Sequence, residues 1–185
     1  MVHRIFPDFM NLTTTPDQLY SQPVLLEEKE MLNDVKFIIL CVATFGLYSV
    51  WWQYKAWRFF KQRQQSDIWP AVRAIFSLFT VYDLMKNINR FSQNNDFAPV
   101  YNAKNSAAGY IILSLLVRLP DPFWLVSLLA FAFLVAPYNE LRFALLKSAE
   151  YAGKDKKRFS GYHFAIIGFG VLVWPLLIYG LTLPD

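Results

Sequence analysis

Charged residues are missing from three long stretches of this chain, and that absence limits what it can fold into more than any motif does. Residues 37–54 (FIILCVATFGLYSVWWQY) run for 18 positions without Asp, Glu, Lys or Arg, and residues 122–139 (PFWLVSLLAFAFLVAPYN) for another 18. Residues 159–184 (FSGYHFAIIGFGVLVWPLLIYGLTLP) run for 26. An 18-residue helix is about 27 Å long, close to the hydrocarbon thickness of a bilayer. Three membrane-crossing helices are therefore expected. Composition agrees: 17% of the 185 residues are charged, against about 25% in soluble domains.

A shorter apolar run, 105–117, is closed by Arg118 and the turn Leu119-Pro120-Asp121-Pro122. Proline cannot continue the helix before it, and Arg118 can snorkel to the headgroups. The run reads as a fourth crossing, paired with 122–139 in a hairpin, with a re-entrant half-helix as the alternative. The expected spans are about 36–57, 103–118, 122–139 and 160–183. Residues 1–33 differ in kind, with Pro7, Pro16, Pro23 and the acids Glu27, Glu28 and Glu30. They read as an irregular tail before a single helical membrane domain at 34–185.

The Lys/Arg residues fit this count. Eight lie in 55–104 and six in 140–158, so 14 of the 18 fall on one side of a four-span chain. Cytoplasmic loops carry such an excess, which places both termini outside. Trp51, Trp52, Tyr54 and Trp57 cluster at the inner end of the first span beside Lys55 and Arg58. They read as interfacial anchors.

Residues 68–91 do not read as a simple span. Arg73, Ser77, Thr80, Asp83, Asn87, Arg90 and Asn94 recur every three or four residues, forming one polar stripe on a helix. Val72, Ile75, Phe76, Phe79, Leu84 and Met85 cover much of the remainder. A fifth crossing would put the two basic regions on opposite sides, so an amphipathic helix lying in the inner interface is expected. Residues 140–153 read as a short amphipathic cytoplasmic helix. Beyond it Lys154, Lys156, Lys157 and Arg158 offer charge to anionic headgroups.

Chemistry-bearing patterns are scarce. A single cysteine, Cys41, excludes a disulfide framework and a Cys-rich metal site. The two histidines, His3 and His163, are far apart, and the chain contains no H-E-x-x-H, G-x-S-x-G, GK[ST] or strand-linked G-x-G-x-x-G. No catalytic residue, metal ligand, cofactor or nucleic-acid interface is assigned. The residues singled out as lipid or partner contacts are Arg73, Asp83, Arg90, Arg118, Asp121, Lys156, Lys157 and Arg158.

Several stretches together resemble an uncharacterised group of small bacterial multi-span inner-membrane proteins. They are TFGLYSVWWQYKAWRFFKQR at 44–63, IWPAVRAIFSLFTVYDLMKNI at 68–88, LPDPFWLVSLLAF at 119–131 and IIGFGVLVWPLLIYG at 166–180. The first carries a Tyr-Lys-x-Trp run, the second Pro-x-x-Arg-Ala-x-Phe and the third Leu-Pro-Asp-Pro-aromatic-Trp. The resemblance covers about 36–183. It implies a bacterial inner-membrane protein and carries over no activity, ligand or site residue.

The expected fold is all-α, with four transmembrane helices, one interfacial amphipathic helix and a short cytoplasmic helix. The expected role is non-enzymatic: an accessory or assembly partner embedded in the lipid bilayer beside another membrane protein. The alternative is a lipid- or small-molecule-handling protein, transporter or membrane enzyme, that uses the polar stripe at 73–94.

Overall fold

A computed structural model describes residues 32–148 and 161–182. Residues 1–31 of the expected tail, residues 149–153 of the expected cytoplasmic helix, and Lys154, Lys156, Lys157 and Arg158 lie outside the described residues. Within them all regular structure is helical. The α-helices are α1 (Asp34–Ala43), α2 (Leu47–Gln64), α3 (Pro70–Ile75), α4 (Ser77–Gln93), α5 (Ala103–Leu115), α6 (Ala132–Lys147) and α7 (Gly161–Thr182). Two 3₁₀ segments, Leu116–Arg118 and Phe123–Phe131, flank the turn between α5 and α6.

The expected span at 36–57 is not one helix, which corrects the first of the four crossings. The chain breaks at 44–46 and folds back. In a straight helix Phe37 and Trp52 would stand about 22 Å apart. Their rings are 5.7 Å apart, and Phe37 also meets Tyr48 at 6.0 Å. The break is a Schellman closure: Gly46 N–H donates to Cys41 O at 2.7 Å and Phe45 N–H to Val42 O at 3.3 Å. Phe45 takes the left-handed position (φ 53°) that glycine usually fills. The Thr44 hydroxyl adds a bond to Leu40 O at 2.7 Å and accepts from Tyr48 N–H at 2.9 Å. These bonds satisfy the backbone groups that the break would otherwise leave unpaired.

The boundary drawn between 122–139 and 140–153 also disappears. A 3₁₀ stretch, Phe123–Phe131, passes directly into α6, giving one 25-residue helical segment, Phe123–Lys147. Pro137 lies inside α6 without ending it. Residues 103–118 form α5 and its 3₁₀ extension, and 160–183 matches α7 closely. Two segments, Phe123–Lys147 and His163–Gly180, are long and apolar enough to cross a membrane.

The 68–91 stretch breaks at Phe76 (ψ 41°), with Thr80 Oγ1 bonded to Arg73 O across the break. Two faces of this stretch matter. Val81, Leu84, Met85, Ile88 and Phe91 point into the core against α2, α5 and α6. Trp69, Ile75, Phe76 and Phe79 point away from it, Phe79 being 81% exposed. The inward stripe makes α4 a bundle helix, and the apolar surface left over belongs to α3 and the first turn of α4.

The core is strongly aromatic. Phe37 stacks on Tyr138 at 4.2 Å, while Phe59, Phe60 and Phe91 meet edge to face. The Trp cluster divides in two. Trp52 and Trp57 are buried, so they do not serve as surface anchors; Trp51 is exposed, stacked on Tyr54 with Lys55 over its ring. The reason is spacing. Tyr48, Ser49, Trp52, Gln53, Ala56, Trp57 and Phe60 form one stripe of α2, and that stripe is buried.

Candidate functional site

Two buried polar groups interrupt this apolar core. The first joins three helices. Gln53 on α2, fully buried, donates from Nε2 to the Tyr110 hydroxyl on α5 at 3.2 Å, and that hydroxyl lies 3.2 Å from Ser77 Oγ on α4. Gln53 Oε1 and the Trp57 indole Nε1, one turn further along α2, have no hydrogen-bond partner among the described residues. Each bond here fixes the register of one helix against another, because an unpaired amide or hydroxyl at this depth would cost about 1–3 kcal/mol.

The second group surrounds Glu140, which is 1% exposed. Its Oε2 accepts from Val100 N–H at 2.9 Å, the Ser92 hydroxyl lies beside it, and Oε1 has no partner among the described residues. Tyr101, next along the loop, donates to Met85 O at 2.9 Å. Burial, and then the Glu140 charge, push the Tyr101 phenol above its ordinary range. Phe143 stacks on Phe97 at 6.2 Å, and Lys147 Nζ donates to Asp96 O at 2.9 Å. Residues 140, 143 and 147 thus form a stripe of α6 that holds the 94–102 loop, whose Asp96 has a positive φ of 55°.

The residues singled out from sequence do not form one site. Arg73 lies over the Trp57 ring at 4.4 Å, a cation–π contact inside the α2–α3 packing. Asp83 and Arg90 are exposed on α4, on the far side of the break at Phe76. Arg118 and Asp121 are exposed at the α5–α6 turn. There Asp121 Oδ1 accepts from Trp124 Nε1 at 2.6 Å, which makes it a local clamp on the turn. Gln53 and Glu140 were missed. Gln53 was hidden in a charge-free run of aromatic residues. By its charge Glu140 reads as the start of a separate cytoplasmic helix, whereas Leu134, Pro137, Leu141, Ala144 and Leu145 place it on one buried stripe of the continuous α6.

A partly open cavity of about 160 Å³ lies apart from both polar groups, where the α1–α2 turn meets the 3₁₀ segment and α7. Among the described residues no group of three His, Cys, Asp or Glu could hold a metal ion. No family model, curated protein or solved structure matches the chain.

Proposed function

We propose that the chain is a small integral membrane protein of the bacterial inner membrane, as its resemblance implies, acting without chemistry of its own as an accessory or assembly partner. The observation that carries the membrane reading is α7. Its window His163–Gly180 is long and apolar enough to cross a bilayer, yet only 11% of it is buried inside the protein. A core helix of a soluble protein would be mostly covered. Phe164, Phe169, Leu172, Leu176 and Tyr179 are all exposed along α7, which supports a contact with hydrocarbon or another membrane helix.

The contacts also suggest an arrangement. Tyr138 donates to Leu32 O, the α1–α2 turn reaches Leu125, Leu128 and Leu129, and Lys55, Arg58, Lys61 and Arg63 follow on α2. In this reading α1 and α2 form a re-entrant hairpin that enters and leaves on the Lys/Arg-rich side. That moves Leu32 to the inner side, whereas the single-span reading placed it outside. The α5 helix with its 3₁₀ end is about 25 Å long and exposes Ile112, Leu115 and Val117, which suits a further crossing. The regions 55–104 and 140–158 then remain on one side, as the charge rule requires. Trp69, Ile75, Phe76 and Phe79 become the interfacial surface that the whole 68–91 stretch was expected to supply.

The accessory role is tested by photocrosslinking in native membranes, with a photoreactive residue replacing Leu172 or Leu176. A protein adduct of one defined mass is the expected result. Adducts to lipid alone would contradict a partner on this face and turn attention to lipid handling.

A further inference from the structure

We infer that the 160 Å³ cavity at the α1–α2 turn is a seat for the end of an acyl chain of a bilayer lipid. The inference rests on the membrane reading, because two of its walls, the 3₁₀ segment and α7, belong to the segments able to cross a bilayer.

The walls are held open by specific contacts. Phe45 is fixed in its left-handed position by the Schellman closure, and its ring stacks on Trp174 at 4.7 Å and 24°. The Trp174 indole N–H is committed to Val42 O at 3.0 Å. That bond ties α7 to the end of α1, and Gly170 lets the two helices approach closely: a Cβ there would lie 2.6 Å from Ala43 O. On the opposite wall stand Leu125, Leu128, Leu129 and Phe131.

The lining chemistry selects the occupant. A buried water needs two to four polar partners, and this cavity has few to give. Its indole N–H is already bonded, and the remaining side chains are apolar apart from the Cys41 thiol, itself a small weakly polar group. An apolar cavity of about 150 Å³ stays dry and accepts a benzene-sized group. Val42 and Leu129 line the cavity and are both about half exposed, so the part-open cavity can be reached past these two apolar side chains. The terminal carbons of an acyl chain fit the size, the polarity and this apolar route of entry. Headgroup recognition is not required, so selection would be by chain shape and not by charge.

The test uses the full chain in nanodiscs of phosphatidylcholine carrying a diazirine near the acyl terminus, with adducts mapped by peptide mass spectrometry. Expected are adducts on 41–46 and 125–131 as well as on the outer face of α7 at Leu172 and Leu176. Leu128→Trp, which fills the cavity, should lower the cavity adducts at least tenfold and leave those on α7 unchanged. Leu125→Phe is the milder filling variant should the first fold poorly, with the same expected direction. Labelled α7 with unlabelled cavity peptides, or cavity adducts that survive both variants, would overturn the seat while leaving the membrane reading intact. Absence of adducts on both surfaces would overturn the two together.

Discussion

The α2–α4–α6 core and α7 have similar apolar residues and opposite environments. In the core, Trp57, Phe59, Phe60 and Phe91 are almost completely covered by other side chains, and the buried polar groups Gln53, Ser77 and Tyr110 find one another. Along α7 most apolar residues face outward, Ile166 and Ile167 meet the core, and the helix touches the rest mainly through α1, at Gly170 and Trp174. The first region is made stable by its own packing. The second is not, and in the proposed membrane reading its bare apolar surface is met by lipid or by a partner helix. A hydrophobic run in sequence therefore has two meanings here, and only the covering of its side chains distinguishes them.

The widest separation between the regions should come from truncating one aromatic in each. Phe37→Ala removes a fully buried ring stacked on Tyr138, and a loss of about 3–5 kcal/mol is expected in reversible unfolding. Phe169→Ala, on the exposed surface of α7, should shift stability by less than about 0.5 kcal/mol. Similar losses at both positions would mean that α7 is covered after all.

Placing a charge on α7 sharpens the contrast from the other side. Leu176→Arg should weaken membrane insertion by about 2–3 kcal/mol, read as the inserted fraction in a translocation assay, if the position lies in hydrocarbon. A helix exposed to water would be unaffected, or made more soluble.

A smaller effect is expected where the regions join. Gly170→Ala forces a Cβ against Ala43 backbone, which cannot swing aside, and should cost about 1–3 kcal/mol of α1–α7 docking, seen as loss of a disulfide engineered between those helices. Gly168→Ala meets nothing within 4 Å and should be neutral or slightly stabilising, through helix propensity alone. Equal behaviour of the two glycines would contradict the docking geometry.

Least affected should be Asp121→Asn at the α5–α6 turn. Asparagine retains an acceptor for Trp124 Nε1, so a change below about 0.5 kcal/mol is expected in the same unfolding measurement. A loss of partner recovery with unchanged stability would instead make this exposed turn a docking site.

The sequence exposed α7 because its apolar run is long, unbroken by charge and closed by nothing within 26 residues. Arg118 and Pro120 marked the end of α5 for equally local reasons. The break at 44–46 was not legible in the same way. A glycine inside an apolar run is ordinary in a membrane helix, and what bends this one is the meeting of Phe37 with Trp52 and Tyr138, residues far apart in the chain. Glu140 was obscured by the converse error. Its charge suggested a boundary, whereas the stripe through Leu134, Leu141 and Ala144 continues past it and carries the carboxylate into the core. Gln53 gave no warning except its place on the α2 stripe, and its meaning depended on Tyr110, 57 residues away.

The most direct test of the account is a depth profile along α7. Spin labels at successive positions from Phe164 to Tyr179, in a Cys41→Ser background and reconstituted in lipid, would be read for accessibility to oxygen and to a water-soluble nickel chelate. The account predicts high oxygen and low nickel accessibility for the outward residues, with the greatest depth near Val171 and Leu172 and shallower values toward both ends. Nickel accessibility that stays high along the whole helix would contradict a lipid-facing crossing.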